Sequence, residues 1–416
     1  MTILSNHKSR LMMSSFAKEG SATGGVLLVA GCCIGAGMLG LPVVSALTGF
    51  IPASLILIAS CFVMICTGLL VLELTLSFDH EVSLISMAKA TLGQTGKFLT
   101  WILFILLFYC ILVAYASGSG EIVANGFHKL NIPISHSFGS LFSMSLVACL
   151  IYLGTHAIDR LNRILMIGLV AAYGILILLG MPNIEMQSLH EKEWSTAFAT
   201  VPLMLISFGH HNLIPSLTIY MKRNVSKLRL AIILGNLIPL GIYLLWEGVI
   251  LGMLPLRNHP LFSETVQNQD MASGLLTHAT GSPYILTAVN LFAFLAIATS
   301  LITTALSCID FLSDGLSVKN EGKTRAYLCA AVLLSPLPFA VTYPHIFLTA
   351  LGYAGGFITV ILFGVLPALM AWRSRYHLKQ TSPFVVRGGK TSLAIIMTIF
   401  FAIFILEIFR QFSMLM

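Results

Sequence analysis

Runs of about twenty predominantly apolar residues recur from one end of this chain to the other, and no other feature restricts the fold as tightly. An α-helix rises 1.5 Å per residue, so such a run crosses the ~30 Å hydrocarbon core of a bilayer. Hydrocarbon offers the backbone no hydrogen-bond partner, so a spanning segment must satisfy its own peptide groups. Eleven spans are expected, over 22–46, 51–77, 98–123, 139–155, 160–181, 196–220, 228–254, 284–312, 326–343, 346–372 and 392–412. With 57% hydrophobic and only 9% charged residues, the chain lies outside the range of water-soluble domains. The fold class is therefore an all-α polytopic membrane protein.

Basic residues test this division, because Lys and Arg concentrate in short cytoplasmic loops. With the N-terminus cytoplasmic, 19 of the 23 Lys and Arg fall on the inner side and only Lys129, Lys192, Arg257 and Arg410 fall outside. A miscounted span would have scrambled that bias. The C-terminus is then expected outside, and the first span reads as an uncleaved anchor of a bacterial inner (plasma) membrane protein. The net charge of +7 suits inner loops beside anionic lipid, so nucleic acid is not an expected partner. The eight cysteines all fall within the spans and form no C-x-x-C pair, which makes them small apolar residues; neither a metal nor a cofactor is expected.

Two spans are interrupted. Ile34-Gly35-Ala36-Gly37-Met38-Leu39-Gly40-Leu41-Pro42 breaks the first with three glycines, and Phe208-Gly209-His210-His211-Asn212, followed by Pro215, breaks the sixth. Unwound backbone at membrane depth persists only where it is buried in protein or lines a polar cavity. Paired breaks in corresponding halves of a chain point to the substrate site of a secondary transporter. The second break also puts His210 and His211 near the bilayer midplane, where an ionisable side chain is a functional candidate. They read either as proton carriers or as neutral imidazoles capping freed backbone groups. Glu247 lies about 9 Å from the centre of the seventh span at helical rise, and Glu73 about 15 Å from the midplane, within reach of inner-surface water. In the eighth span Thr303 and Thr304 either pack against a neighbouring helix or offer oxygen ligands to a small cation.

Taken together, Ile34 to Leu39 with Leu41-Pro42, the Leu72-Glu73 pair, Ser207-Phe208-Gly209 and Leu351-Gly352-Tyr353-Ala354-Gly355-Gly356 resemble the aromatic amino acid permeases, the tryptophan and tyrosine transporters of the hydroxy/aromatic amino acid permease group. The resemblance implies a LeuT-type fold of eleven transmembrane helices. Residues 22–181 and 196–372 would form two inverted five-helix repeats, with helices 1 and 6 broken. Residues 1–21 and 373–391 would be cytoplasmic, and 392–412 the extra helix. It also implies proton symport of an aromatic amino acid, with substrate held between the broken helices.

The residues agree with that reading. Free N–H groups of Ala36, Gly37, Met38 and Leu39 would hold the substrate carboxylate. The carbonyls of Cys33, Ile34 and Ser207 or Phe208 would meet the ammonium, and Gly35 and Gly37 would permit close approach, with Gly209 a further candidate at the second break. Asn212 completes the candidate set at the second break. Phe208 and Tyr109, more weakly Tyr115 and Tyr353, would supply aromatic walls. The coupling ion stays open between a proton on His210 or His211, assisted by Glu247 or Glu73, and a sodium ion between first-span carbonyls and Thr303 or Thr304. The alternatives are a symporter of serine or another neutral amino acid, coupled to sodium or to protons, and a non-transporting amino acid sensor. No His-Glu-x-x-His or other catalytic constellation suggests an enzyme.

Overall fold

The computed structural model describes residues 19–153, 155–259, 261–263, 271–318 and 322–415, and among these all regular structure is helical. Residues 1–18 of the expected N-terminal segment lie outside the described residues. Nine helices among the described residues are long and apolar enough to cross a membrane. A tenth span is the bent pair Ala22–Cys33 and Gly37–Ala46, turned by 54° at the first break. The expected fourth span is a shorter apolar helix, His136–Tyr152, so length and composition account for ten of the eleven expected spans.

Both breaks fall where the sequence puts them. The first helix stops at Cys33, Gly35 is extended, a 3-10 turn covers Ala36–Leu39, and Leu41–Ala46 resumes the span with Pro42 in its first turn. The sixth span runs Val201–Ile206, unwinds through Ser207 to His210, makes a 3-10 turn at His211–Leu213, and resumes at Ile214–Tyr220 with Pro215 in its first turn. Proline is well suited to those restarts, because the first helical N–H groups have no acceptor within the helix anyway.

Apolar side chains gain little by leaving lipid for one another, so helices in a bilayer associate by close packing of small residues. The chain does this repeatedly. Gly25 and Gly235 let the first half of span 1 lie on span 7, Val225–Gly252: a Cβ at Gly235 would stand 2.5 Å from Val29. Gly139 brings span 4 onto the Gly120 carbonyl of span 3. Gly355, in a π-helical stretch Ala354–Val365 of span 10, rides on the Pro202 carbonyl of span 6, where a Cβ would come within 1.9 Å. Span 3 is continuous with a preceding helical segment from Leu84, but a kink at Gly93 (φ 79°) separates the two.

Candidate functional site

A cavity of about 410 Å³ joins the two breaks. That volume falls within the ~300–1,000 Å³ typical of small-molecule sites. Gly35 and Gly37 line it from the first break, and Ser207, Gly209 and Asn212 from the second. From there it runs between Leu28, Gly31, Asn162, Met166, Thr303 and Ser307, toward the end of the bundle at which span 1 begins. Its lining combines the hydroxyl and amide side chains of Thr299, Ser300, Thr303, Thr304, Ser307 and Asn162 with the rings of Phe104, Phe108 and Phe363.

The other side of the breaks is filled. Met38, Leu39, Leu203 and Phe347 are buried. Trp246 packs on Phe292 with ring centroids 4.8 Å apart, and Tyr173 stacks obliquely on both, at 6.2 and 6.0 Å. The Trp246 indole N–H donates to the Met38 carbonyl at 2.9 Å. Beyond this plug, Leu47 O at the end of span 1 accepts from the Arg257 guanidinium and from the Thr196 hydroxyl, and Thr48 O accepts from Glu193 N–H at 2.8 Å. Arg257 also faces Glu191 and Glu193 at 3.9 and 4.0 Å. Glu193 is held below the usual carboxylate range, first by the Ser195 hydroxyl hydrogen bond, with Arg257 adding to it.

The expected anion site is narrower than its sequence suggests. Met38 N–H donates to Gly35 O at 3.1 Å, so it is spent inside the 3-10 turn. The N–H groups of Ala36 and Gly37 precede that first turn bond, where helix geometry leaves donors without an internal acceptor. Among the carbonyls expected to meet the ammonium, Cys33 O and Ser207 O both accept from the Tyr243 hydroxyl, and Phe208 O accepts from His210 Nδ1 at 2.9 Å. Ile34, on the cavity wall, supplies the fourth.

Aromatic candidates are redistributed. Phe208 is fully buried behind the break, edge-on to Tyr243 at 5.5 Å. Tyr109 points away from the cavity, donating to Ser335 O at 3.0 Å and packing on Phe339. Tyr353 is half-exposed and stacks on Phe357. Tyr115 does line the cavity, with Phe104, Phe108 and Ile111. The spacing 104, 108, 111, 115 marks one helical face, a signal present in the sequence that pointed to Phe104 and Phe108.

His210 and His211 are fully buried and stand behind the cavity wall, their rings 4.8 Å apart. Nδ1 of His210 faces the Phe208 carbonyl, which assigns it the proton, and Nε2 then accepts from the Asn236 amide at 3.5 Å. Both ring nitrogens are thus used by a neutral imidazole. His211 Nε2 meets the Thr67 hydroxyl at 2.8 Å, its ring stacks on the cavity-lining Phe363 at 4.6 Å, and its Nδ1 is buried without a partner among the described residues. Glu247 accepts from the Ser45 hydroxyl at 3.0 Å through one oxygen; its other oxygen is buried and unpartnered among the described residues.

Glu73 corrects an expectation. It does not reach water but is buried, bidentate with Arg375 (Nε to Oε1 2.6 Å), and accepts from Val386 N–H at 2.8 Å. A carboxylate so fully engaged ties the segment after span 10 to the end of span 2, aided by Ser382 Oγ on Glu73 O. Thr303 and Thr304 line the cavity, though the Thr303 hydroxyl donates back to Thr299 O at 2.9 Å.

The model of the tryptophan/tyrosine permease family matches residues 18–407. The chain belongs to the tryptophan/tyrosine permease family. It is therefore in a family of permeases, not of enzymes. Among the permeases it is 32% identical to the "Tyrosine-specific transport system 1" of Haemophilus influenzae, across 90% of this chain and 94% of that one. It is 29% identical to a "Tryptophan-specific transport protein" of the same organism, across 89% and 92%. Among solved structures it superposes on MhsT in complex with L-phenylalanine with a TM-score of 0.63, covering 94% of this chain and 99% of that one at 14% identity. That likeness establishes the LeuT-type fold, with the first and sixth helices broken in this permease as described above.

Proposed function

We propose that the chain imports an aromatic amino acid, tyrosine or tryptophan, by proton symport across the bacterial inner membrane, with its N-terminus cytoplasmic and its C-terminus outside. The observation that carries this reading is the cavity between the breaks, whose lining combines polar side chains with aromatic rings. A zwitterion with a ring needs such a pairing. Its carboxylate meets the Ala36 and Gly37 N–H groups, favoured by the positive end of the restarting helix. The ammonium meets the Ile34 carbonyl, and the ring lies along Phe104, Phe108 and Phe363.

Transport proceeds by alternating access, the substrate site opening first to one face and then to the other. On this reading the arrangement is inward-facing: the cavity runs toward the end of the bundle at which span 1 begins, while the aromatic plug and the Arg257 tie close the other side. His211 and Glu247 are the proton carriers this reading favours. Each is buried with one unpartnered polar atom among the described residues. His211 touches the cavity wall through Phe363, and Glu247 touches the outer half of span 1 through Ser45, so a proton at either acts on an element that must move. The sodium alternative rests on Thr303 and Thr304, which face the cavity.

The test is uptake of radiolabelled tyrosine into proteoliposomes under an imposed proton gradient or sodium gradient, with unlabelled tryptophan, phenylalanine and serine as competitors. Concentrative uptake driven by the proton gradient alone, blocked by the aromatic competitors, is expected. Accumulation only with sodium, or competition by serine alone, sinks the proposal.

A further inference from the structure

The two half-helices that end at the breaks stop with their carbonyls facing each other. Cys33 closes the helix Ala22–Cys33, and Ser207 caps the helix Val201–Ile206. Each is a helix C-terminus, which carries partial negative charge on carbonyls that lack a helical donor. Where such half-helix ends converge in transporters of this kind, they coordinate the coupling cation. In this chain the point of convergence holds a hydroxyl. The phenol of Tyr243, from span 7, stands 2.7 Å from Cys33 O and 3.1 Å from Ser207 O, and the residue is completely buried.

We propose that Tyr243 is the residue that closes this position to alkali cations: its O–H, shared between the two carbonyls, takes the place a sodium ion would otherwise occupy between the broken helices. The proposal rests on the transport reading above and sharpens its choice of ion. The geometry leaves no room for both occupants. The hydroxyl oxygen lies within hydrogen-bond reach of both carbonyls, the ring is backed edge-on by Phe208 at 5.5 Å, and the side of the break facing Tyr243 is lined by the buried Cys33 and Asn236. The Cys33 thiol donates to Asn236 Oδ1 at 3.8 Å, and neither a thiol so engaged nor an amide carries a charge that would compete for the carbonyls. A single O–H proton also serves two acceptors less fully than a cation does, which leaves the site with unused capacity if the hydroxyl is removed.

Tyr243→Phe keeps the ring and removes the donor; Tyr243→Asn removes the ring and offers an amide oxygen in its place. Melting temperatures of the purified wild-type, Phe and Asn proteins are compared in sodium and in choline buffers. Wild type is expected to show no sodium shift from this position, whereas each variant gains an upward shift of about 2 °C or more, because a ligand that binds only the folded state stabilises it. A monodisperse variant whose sodium shift is no larger than that of wild type overturns the proposal. If the Phe protein does not fold, the Asn protein decides the question by the same comparison. Failure of the transport reading looks different: wild-type proteoliposomes then fail to accumulate tyrosine under a proton gradient, whatever the variants' melting temperatures do.

Discussion

The two breaks share a depth and a restart by proline, yet they are built for different work. The first is glycine and backbone: Gly35 and Gly37 face the cavity, and Ser300 Oγ and Ser207 Oγ lie 3.2 and 3.7 Å from where a Cβ would sit on them. The second presents only Ser207, Gly209 and Asn212 to the cavity and turns its bulk, Phe208, His210 and His211, into the protein behind. There the histidines hydrogen-bond to Thr67 and Asn236, and Phe208 packs edge-on against Tyr243. A cavity can be approached closely only where Cβ atoms are missing, and a titratable group can be insulated only where side chains surround it. On the function proposed above, the first break is the one that contacts substrate and the second the one that handles charge.

The hardest test of that division is Gly37→Val. The added isopropyl group occupies the cavity beside Ser207, an overpacking cost of about 3 kcal/mol or roughly a hundredfold in substrate affinity. Tyrosine uptake should fall to background while the protein still reaches the membrane at wild-type level; near-normal uptake would remove the first break from the substrate site.

A smaller and more selective effect is expected at the second break. His211→Gln should abolish proton-driven accumulation of tyrosine while leaving exchange of internal for external tyrosine intact. His210→Gln, at a neighbouring ring whose two nitrogens already have partners, should keep accumulation and cost about 1 kcal/mol of stability. The comparison breaks if the two variants behave alike.

The mildest change concerns the wall that closes the first break on the side away from the cavity. Trp246→Phe deletes the N–H that the Met38 carbonyl accepts and leaves that carbonyl buried, at a cost of about 1 kcal/mol. A lowered melting temperature with unchanged competition between tyrosine and tryptophan is expected. A change in that competition would mean that the plug takes part in substrate choice.

Much of this was legible in the residues. Glycine at 35 and 37, proline at 42 and 215 and adjacent histidines at mid-span announce two broken helices, because glycine and proline each have a local reason to interrupt or restart a helix. The fourth span was less legible: its helix, His136–Tyr152, is too short to stand out by length. Tyr109 and Phe208 were attractive by type alone, but a helix has more than one face, and the third span turns Phe104, Phe108 and Tyr115 to the cavity instead. Tyr243 carried no local signal at all, since its role comes from two carbonyls that lie 210 and 36 residues before it in the chain.

By itself the sequence determined that the chain crosses a membrane repeatedly, which family it resembles and where its helices break, since hydrophobic length, glycine and proline act through the local backbone. The tertiary structure alone decided which side of each break faces the cavity, that Glu73 is committed to Arg375, that His210 is satisfied while His211 keeps a spare nitrogen, and that Tyr243 joins the two half-helix ends. Those are matters of which group meets which across helices. In hydrocarbon every buried polar atom is stabilised by the partner it finds, and no stretch of sequence names a partner on another helix.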